Sequence, residues 1–216
     1  MSNNEKQVIS TLRFIVGILN KYKVEYRFLG SIITCALEGS VYRNINDLDI
    51  LIDTDKINII ADELVANGFQ KKIKNHLRVS EQLNLHIYQH PKFLEISFFG
   101  VIFSPNGSAI LQTKNFYADI PKTAIDPVSY SLGDLNFIGI PASVVYKTIL
   151  LNRSNPKRIK EIEIFKKNNV KPFGKNIYTL KFIGLNITQL TTLPNMVLEI
   201  IGKRRLLMGK EYDIWK

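Results

Sequence analysis

Hydrophobic and polar positions along the first third of the chain predict alternating helices and strands. In residues 5–22 the apolar positions fall three and four residues apart, as in a helix with one buried face. Residues 24–29 predict a short strand, and the apolar run at 32–37 predicts a short helix. A second strand is predicted over 48–52 and a second amphipathic helix over 55–67. The chain is therefore expected to begin with helix, strand, helix, strand and helix.

Beyond residue 68 the pattern changes to short runs rich in β-branched and aromatic residues, which predict strands. These runs cover residues 69–74, 76–80, 83–88 and 93–99. Pro105-Asn106-Gly107 is a strong turn signal and predicts a hairpin that joins 98–103 to 108–113. The middle of the chain is therefore expected to be mainly antiparallel β-structure.

The helical spacing returns after a stretch interrupted by Pro121, Pro127 and Gly133, which predicts an irregular connector. Helices are predicted at 141–151, at 156–167 and at about 194–207. The expected fold class is α+β, with a mixed β-sheet flanked by helices and followed by a basic helical C-terminal region.

The same pattern suggests three parts. Residues 1–120 are expected to form an α+β domain, residues 121–140 a connector, and residues 141–216 a basic helical domain. The charge supports this division. The 216 residues carry 29 Lys and Arg against 19 Asp and Glu, a formal net charge of +10. Residues 1–140 contain 14 side chains of each sign, so the whole excess belongs to 141–216, with 15 basic and 5 acidic side chains.

Composition excludes several classes of protein. A hydrophobic fraction of 45% excludes a disordered or fibrous chain. The single cysteine, Cys35, excludes a disulfide within the chain and a cysteine-based zinc site. The start of the chain does not resemble a signal peptide, and the apolar stretch 93–103 is too short to span a membrane. We therefore expect a cytoplasmic protein with no membrane partner.

A strand, a Gly-Ser turn and a helix follow one another at Gly30 and Ser31. The first N–H groups of a helix point beyond its N-terminus, and glycine lets a phosphate approach the backbone closely. The Ser31 hydroxyl adds a further hydrogen-bond donor. This turn is therefore a candidate phosphate-binding site.

Asp47 and Asp49 are separated by one residue on the next predicted strand. Side chains alternate along a strand, so both carboxylates lie on one face. Two such carboxylates repel each other unless a cation lies between them, and Mg²⁺ prefers oxygen ligands together with substrate phosphates. Paired carboxylates beside a phosphate cradle are what Mg²⁺-dependent nucleotidyl transfer requires.

The run Gly30-Ser31, Gly39, Arg43 and Asp47-x-Asp49 resembles the signature of the polymerase-β-like nucleotidyltransferase superfamily. Its spacing is most similar to the lincosamide and aminoglycoside nucleotidyltransferase branch, without a gap across residues 30–49. Ser31 stands where that branch usually has a second glycine. Cys35 stands where many relatives carry an acidic residue.

The resemblance also implies roles for residues outside this run. The superfamily has a third carboxylate on a later strand, and Leu94-Glu95-Ile96 fits that description, with Glu in place of the more usual Asp. Its helical end often begins with proline followed by lysine, arginine and acidic residues, which Pro141, Lys147, Arg158 and Glu161 match loosely. Asp47, Asp49 and Glu95 would then be the catalytic metal ligands, and Gly30, Ser31, Arg43 and Lys147 would bind the nucleotide.

Each of these residues also has a purely structural interpretation. An Asp-x-Asp pair often caps a turn, and Glu95 could be a surface acid on an edge strand. Arg43 could pair with Asp47 at the surface, where an ion pair contributes little. Lys147 could extend along the rim of the core with its ammonium group in water.

The resemblance implies a Mg²⁺-dependent enzyme that transfers a nucleoside monophosphate, AMP in the first place, from an NTP to a hydroxyl group and releases pyrophosphate. A small molecule such as an antibiotic is the first acceptor considered. A cationic aminoglycoside suits the basic tail less well than a neutral or anionic acceptor. One alternative is an enzyme of the toxin type that acts on RNA or tRNA, whose phosphates the lysines of the tail would contact. The other alternative is a non-catalytic nucleotide-binding module.

Other catalytic motifs are missing from the sequence. His86 and His90 are four residues apart, but a strand is predicted there and no glutamate follows His86, so there is no zincin motif. The chain has no Gly-x-Ser-x-Gly, no Walker A motif and no Gly-x-Gly-x-x-Gly.

Overall fold

A computed structural model of the chain describes residues 2–72, 84–112, 116–151 and 155–182. The first helices and strands follow the predicted order: α1 (Asn3–Lys21), β1 (Tyr26–Leu29), α2 (Ser31–Glu38), β2 (Asp47–Asp53) and α3 (Ile57–Ala66). A single 3₁₀ turn, Thr54–Lys56, leads into α3. The predictions for the first 70 residues are therefore confirmed, with ends that differ by a few residues.

The middle of the chain contains the expected antiparallel strands. They are β3 (Gln70–Lys71), β4 (Leu85–Gln89), β5 (Glu95–Phe103) and β6 (Ala109–Gln112), and a further strand, β7 (Phe116–Ile120), lies where no strand was predicted. The hairpin predicted at Pro105-Asn106-Gly107 is confirmed: β5 and β6 pair antiparallel, and Gly107 has a φ of +85°. The predicted strand at 76–80 lies outside the described residues.

Residues 121–140 differ from the expected irregular connector. They form a short helix, α4 (Lys122–Ile125), and a hairpin of β8 (Val128–Leu132) and β9 (Leu135–Gly139). Gly133, interpreted above as a break, is the turn residue of this hairpin, with a φ of +61°. Because β9 pairs in parallel with β1, this segment is part of the main sheet.

The described part of the C-terminal region contains both predicted helices and an unexpected strand. Helices α5 (Ala142–Leu150) and α6 (Lys157–Lys167) confirm the predictions at 141–151 and 156–167. Strand β10 (Thr179–Phe182) pairs antiparallel with β7, although a helical region was expected there. The helix predicted at about 194–207 lies outside the described residues, and the division of the chain at residues 120 and 141 stays a prediction.

All ten described strands belong to one mixed sheet, which confirms the α+β class. Eight of them run in the order β10-β7-β6-β5-β2-β1-β9-β8, and β4 pairs with β5 and carries β3 at its other side. The pairs β2–β5 and β1–β9 are parallel, whereas β1–β2 is antiparallel. The end of β1 therefore lies beside the beginnings of β2 and β5, at one edge of the sheet.

Apolar side chains of the central strands and of the flanking helices form one core. Helix α1 buries Val8, Leu12, Ile15 and Leu19 completely, as its spacing predicts. Helix α2 packs against α5 and α6, so the C-terminal helices lie on the helix that follows the Gly-Ser turn. None of the described helices has the length and apolar character needed to cross a membrane.

Candidate active site

The turn at Gly30 and Ser31 begins helix α2 in the predicted way. Gly30 is the residue before the helix, with φ +67° and ψ −139°, a combination that residues with a Cβ rarely adopt. No side chain caps this end of α2, so its first N–H groups are not satisfied by a capping residue. At the other end Gly39 adopts the left-handed conformation, and its N–H donates to the Ala36 carbonyl oxygen. Two glycines thus fix both ends of a helix of only eight residues.

The carboxylate of Asp49 faces this turn. A Cβ atom added to Gly30 would lie 3.6 Å from Asp49 Oδ2, so the missing side chain leaves room between the turn and the carboxylate. Strand pairing explains the proximity, because Leu29, the last residue of β1, is the antiparallel partner of Asp49. The predicted proximity of the Gly-Ser turn to an Asp-x-Asp carboxylate is therefore a feature of the structure.

Asp47 and Asp49 occupy alternating positions at the start of β2, and the intervening Leu48 is buried. The two carboxylates therefore lie on the face opposite to Leu48. Asp47 is exposed and Asp49 half-buried, so the face they share is open to solvent.

Glu95 is the register partner of Asp47 on the neighbouring parallel strand. Partners in adjacent strands point to the same face of a sheet, so Glu95 lies beside the Asp-x-Asp pair. Strand β5 has β2 on one side and β4 on the other, so the interpretation of Glu95 as an edge-strand acid is wrong. Its carboxylate accepts a hydrogen bond from Lys72 Nζ at 2.5 Å.

The start of β5 is held in place from two sides. The Glu95 N–H donates to the Asn46 carbonyl oxygen, and the Leu94 N–H donates to the hydroxyl oxygen of Thr11 on α1. Ile45 lies in the loop before β2, and its backbone N–H and carbonyl oxygen form two hydrogen bonds with the side chain of Asn4 on α1. Helix α1 therefore fixes the two segments that carry the acidic residues.

The donor set fits a hard divalent cation. Carboxylate oxygens are preferred ligands of Mg²⁺, and one face of the sheet presents the carboxylates of two neighbouring strands. Within the part of the chain that the structure describes, however, no three His, Cys, Asp or Glu side chains are close enough together to hold a metal. Mg²⁺ dependence therefore stays a prediction here.

Arg43 lies at the Gly-Ser turn, but its main partner was not expected. Its Nη2 donates to the Ser31 hydroxyl oxygen, and its Nη2 and Nε donate to Glu161 Oε1 at 3.1 and 3.3 Å. The structure thus pairs Arg43 with a glutamate on α6, a contact that neither interpretation in the sequence analysis included. Burial alone would lower the pKa of Arg43, but Tyr42 and Glu161 more than offset that effect and raise the pKa.

Lys147 on α5 contacts the segment after α6. Its Nζ donates to the Lys175 carbonyl oxygen and lies 6.0 Å from the centre of the Phe173 ring. These contacts agree with a lysine that follows the rim of the core. A nucleotide-binding role for Lys147 stays a prediction.

Lys72 and Tyr42 lie near the site and were not considered from the sequence, and Glu161 was named only as a loose match to the helical end of the superfamily. Tyr42 donates to Glu161 Oε1 at 2.6 Å, and burial together with this contact raises its pKa. Glu161 also accepts from Arg158 at 2.6 Å. The spacing of Arg158 and Glu161 on one helix is a visible signal for that pair. The other contacts join residues far apart in the sequence and leave no local pattern.

Comparison with solved structures finds proteins of similar fold. The lincomycin-bound crystal structure of the lincosamide antibiotic adenylyltransferase LnuA has a TM-score of 0.59 at 15% identity, covering 74% of this chain and 96% of that protein. ANT(2'')-Ia in complex with adenylyl-2''-tobramycin has a TM-score of 0.51 at 9% identity, covering 72% and 89%. An antigenic nucleotidyltransferase-like protein from Paracoccidioides brasiliensis has a TM-score of 0.50 at 12% identity, covering 74% and 76%.

Neither a protein-family model nor a curated protein sequence matches the chain. Because the structural matches have low sequence identity to this chain, they establish its fold and not its activity. They also agree with the branch to which residues 30–49 are similar. The chain therefore has the fold of the antibiotic nucleotidyltransferases.

Proposed function

We propose that this protein is a Mg²⁺-dependent nucleotidyltransferase. It transfers a nucleoside monophosphate, AMP in the first place, from an NTP to a hydroxyl group of a small molecule and releases pyrophosphate. The observation that carries the proposal is the junction of β1, β2 and β5, where the Gly-Ser turn adjoins Asp49 and where Asp47 has Glu95 as its register partner.

The Gly-Ser turn is the proposed binding site for the triphosphate. The N–H groups at the start of α2 point away from the helix, and the partial positive charge of the helix N-terminus favours an anion. The Ser31 hydroxyl accepts from Arg43, and this contact leaves its O–H hydrogen able to donate to a phosphate oxygen. The Arg43 guanidinium adds a positive charge at the same turn.

Asp47 and Asp49 would hold Mg²⁺, and Glu95 lies on the same face of the neighbouring strand. When bound, the ion supplies positive charge that stabilises the triphosphate oxygens and the departing pyrophosphate. Asp49 faces Gly30, so the carboxylates and the triphosphate site share one space. A triphosphate bound in this way would be oriented for attack by an acceptor hydroxyl on its α-phosphate.

Glu95 is the proposed acceptor of the proton that the attacking hydroxyl loses. Lys72 donates a hydrogen bond to the Glu95 carboxylate, and this contact fixes the position of one carboxylate oxygen. The proton leaves the acceptor hydroxyl as its oxygen bonds to the α-phosphorus. The bond from that phosphorus to the pyrophosphate oxygen breaks in the same step.

An antibiotic is the acceptor class that the similar structures favour, since LnuA was solved with lincomycin and ANT(2'')-Ia with an adenylylated tobramycin. The charge of this chain refines that choice. The excess of positive charge in residues 141–216 repels a cationic acceptor, so a neutral or anionic hydroxylated molecule suits the protein better.

RNA is a second candidate acceptor, and a specific observation favours it. Exposed lysines follow one another on α6 and after it, at Lys160, Lys166, Lys167, Lys171 and Lys175. Such a series could contact successive phosphates of a nucleic acid. Steep weakening of RNA binding as salt rises would support this candidate, and an absence of binding at low salt would exclude it.

One experiment tests the function and separates the two acceptors. The protein is incubated with each α-³²P-labelled NTP and Mg²⁺, and with either hydroxylated antibiotics or total tRNA. Label on a small molecule supports the first acceptor, and label on tRNA supports the second. Absence of transfer to any acceptor, with nucleotide binding retained, would instead support a non-catalytic binding module.

A further inference from the structure

Glu161 on α6 is fully buried, and it is the only acidic side chain within the described ranges that is buried. Its carboxylate accepts hydrogen bonds from three side chains. Tyr42 and Arg158 each donate at 2.6 Å, and Arg43 donates through Nη2 at 3.1 Å. A buried carboxylate needs such partners, because an unpaired charge away from water is strongly unfavourable.

Arg43 connects this buried carboxylate to the Gly-Ser turn. One side of its guanidinium donates to Glu161 and to the Tyr42 hydroxyl, while Nη2 also donates to the Ser31 hydroxyl oxygen. Nη1 donates to the Asn44 carbonyl oxygen at 2.8 Å. The guanidinium is planar and its donors have a fixed geometry, so these contacts together determine its orientation.

The charges of this cluster leave an excess of positive charge. Arg43 and Arg158 contribute two guanidinium groups, Glu161 contributes one carboxylate, and Tyr42 stays protonated because burial and Glu161 raise its pKa. The Arg43 side chain is 31% exposed, whereas Glu161 is fully covered. The positive charge of Arg43 is therefore accessible at the turn, whereas the negative charge of Glu161 is buried.

We propose that Glu161 is a positioning residue for nucleotide binding: it holds the Arg43 guanidinium against Ser31, where both groups contact the phosphates of the NTP. The inference rests on the proposed function, since it assigns the triphosphate to the Gly-Ser turn. It gives α6 a role at the phosphate site that is exerted through Arg43. Orientation of Arg43, and not only its charge, then determines the affinity for the nucleotide.

Charge and orientation predict opposite effects for one substitution. Glu161→Gln removes a negative charge near the phosphate site, which by charge alone strengthens binding of an anion. If Glu161 positions Arg43, the same change weakens Mg·ATP binding by about tenfold, because Arg43 loses its charged partner. Glu163→Gln is the matched control: it makes the same charge change on an exposed position of α6 and is expected to alter the dissociation constant less than about twofold.

Binding of ATP, GTP, CTP and UTP, each with Mg²⁺, is measured by titration calorimetry for both variants and for the unmodified protein. Arg43→Gln is included alone and combined with Glu161→Gln. We expect Glu161→Gln to change the dissociation constant little in the Arg43→Gln background, because Glu161 acts through Arg43. If Glu161→Gln weakened nucleotide binding equally in the unmodified protein and in the Arg43→Gln variant, the proposal would be overturned.

Tyr42→Phe keeps the test valid if Glu161→Gln fails to fold. It removes one donor from Glu161 and leaves every charge in place, and we expect binding weaker by about threefold. A protein that binds none of the four nucleotides would overturn the proposed function together with the positioning role. Nucleotide binding that Glu161→Gln or Tyr42→Phe leaves unchanged, or strengthens, would overturn the positioning role alone.

Discussion

Gly30 combines an unusual backbone conformation with a place opposite the Asp49 carboxylate. We expect Gly30→Ala to lower the free energy of unfolding by about 1–3 kcal/mol, because alanine is strained at a φ of +67°. Its methyl group would also enter the space between the turn and Asp49. Nucleotidyl transfer should therefore fall by more than the loss of stability explains.

Gly17→Ala is the matched control for this prediction. Gly17 lies in the interior of α1, and an added Cβ would meet no atom within 4 Å beyond its chain neighbours and the nearby backbone of the helix. Alanine is favoured there by about 1 kcal/mol, so this variant should be slightly more stable and fully active. Equal stability of both variants in urea unfolding would contradict the account of the turn.

Cys35 provides a prediction about alkaline pH. Burial raises the pKa of its thiol to about 11, whereas an unfolded thiol titrates at about 8.5. The raised pKa means that the unfolded chain releases this proton first. The resulting stability is complete below about pH 8.5 and is lost as the pH rises towards 11.

We expect Cys35→Ala to lose less stability than the unmodified protein between pH 8 and pH 11. The difference should be roughly 3 kcal/mol at pH 11, because the pKa of the thiol is about 2.5 higher in the folded than in the unfolded protein. Urea unfolding of both proteins at several pH values measures it, with ionisation of the tyrosines common to both. Parallel curves over that range would show that burial does not suppress thiolate formation at Cys35.

At the residue scale, the structure brings together candidate residues of the run 30–49, and their roles stay predictions. Gly30, Ser31, Asp47 and Asp49 lie within 20 positions of one another, so one strand, one turn and one helix determine their relative places. The family resemblance, and not a local pattern, singled out Glu95, and its place beside Asp47 depends on the pairing of β2 with β5. The contact between Arg43 and Glu161 spans 118 positions and has no local pattern that could predict it.

At the scale of elements, α6 is attached to the fold by aromatic packing. Phe165 is fully buried and stacks on Tyr146 of α5, with ring centres 4.9 Å apart and planes inclined by 6°. We expect Phe165→Ala to lower the free energy of unfolding by about 3–5 kcal/mol, because it leaves a cavity between the helices. Since α6 carries Glu161, nucleotide affinity should fall as well.

Ile159→Ala tests whether this effect is specific. Ile159 lies on the same helix with 57% of its surface exposed, and its truncation should change stability by less than about 0.5 kcal/mol. Thermal and urea unfolding of the two variants compare them directly. Similar losses would mean that α6 is not held by the contact between Phe165 and Tyr146.

The elements missed from the sequence have a common physical reason. Strands β8 and β9 alternate apolar and polar residues and flank Gly133-Asp134. An irregular connector is predicted there instead, because Pro121 and Pro127 interrupt the pattern. Strand β10 has only four residues, and its pairing with β7 depends on a distant partner. Periodicity predicts long helices well, whereas a short strand becomes recognisable only through its neighbour in the sheet.

For the whole molecule, the distribution of charge and the position of the site are complementary. The carboxylates lie in the electrically balanced residues 1–140, and the net charge of +10 comes from residues 141–216. Arg43 belongs to the balanced region and pairs with Glu161 of the basic region, so the positive charge at the proposed phosphate site comes from Arg43 itself. The fold could be expected from the family resemblance, whereas the coupling between α6 and the turn required the three-dimensional structure.

The central claim is that Asp47 and Asp49 bind the metal for nucleotidyl transfer and that the Gly-Ser turn binds the triphosphate. The most direct measurement is pyrophosphate release and transfer of label from α-³²P-NTP in Mg²⁺ by the unmodified protein, Asp49→Asn and Asp53→Asn. Asp53 ends the same strand, and its side chain accepts from the Asp55 N–H, a role that asparagine can keep. We expect Asp49→Asn to lower the rate by about 10³-fold or more and Asp53→Asn to leave it nearly unchanged. Full activity of Asp49→Asn would contradict the account.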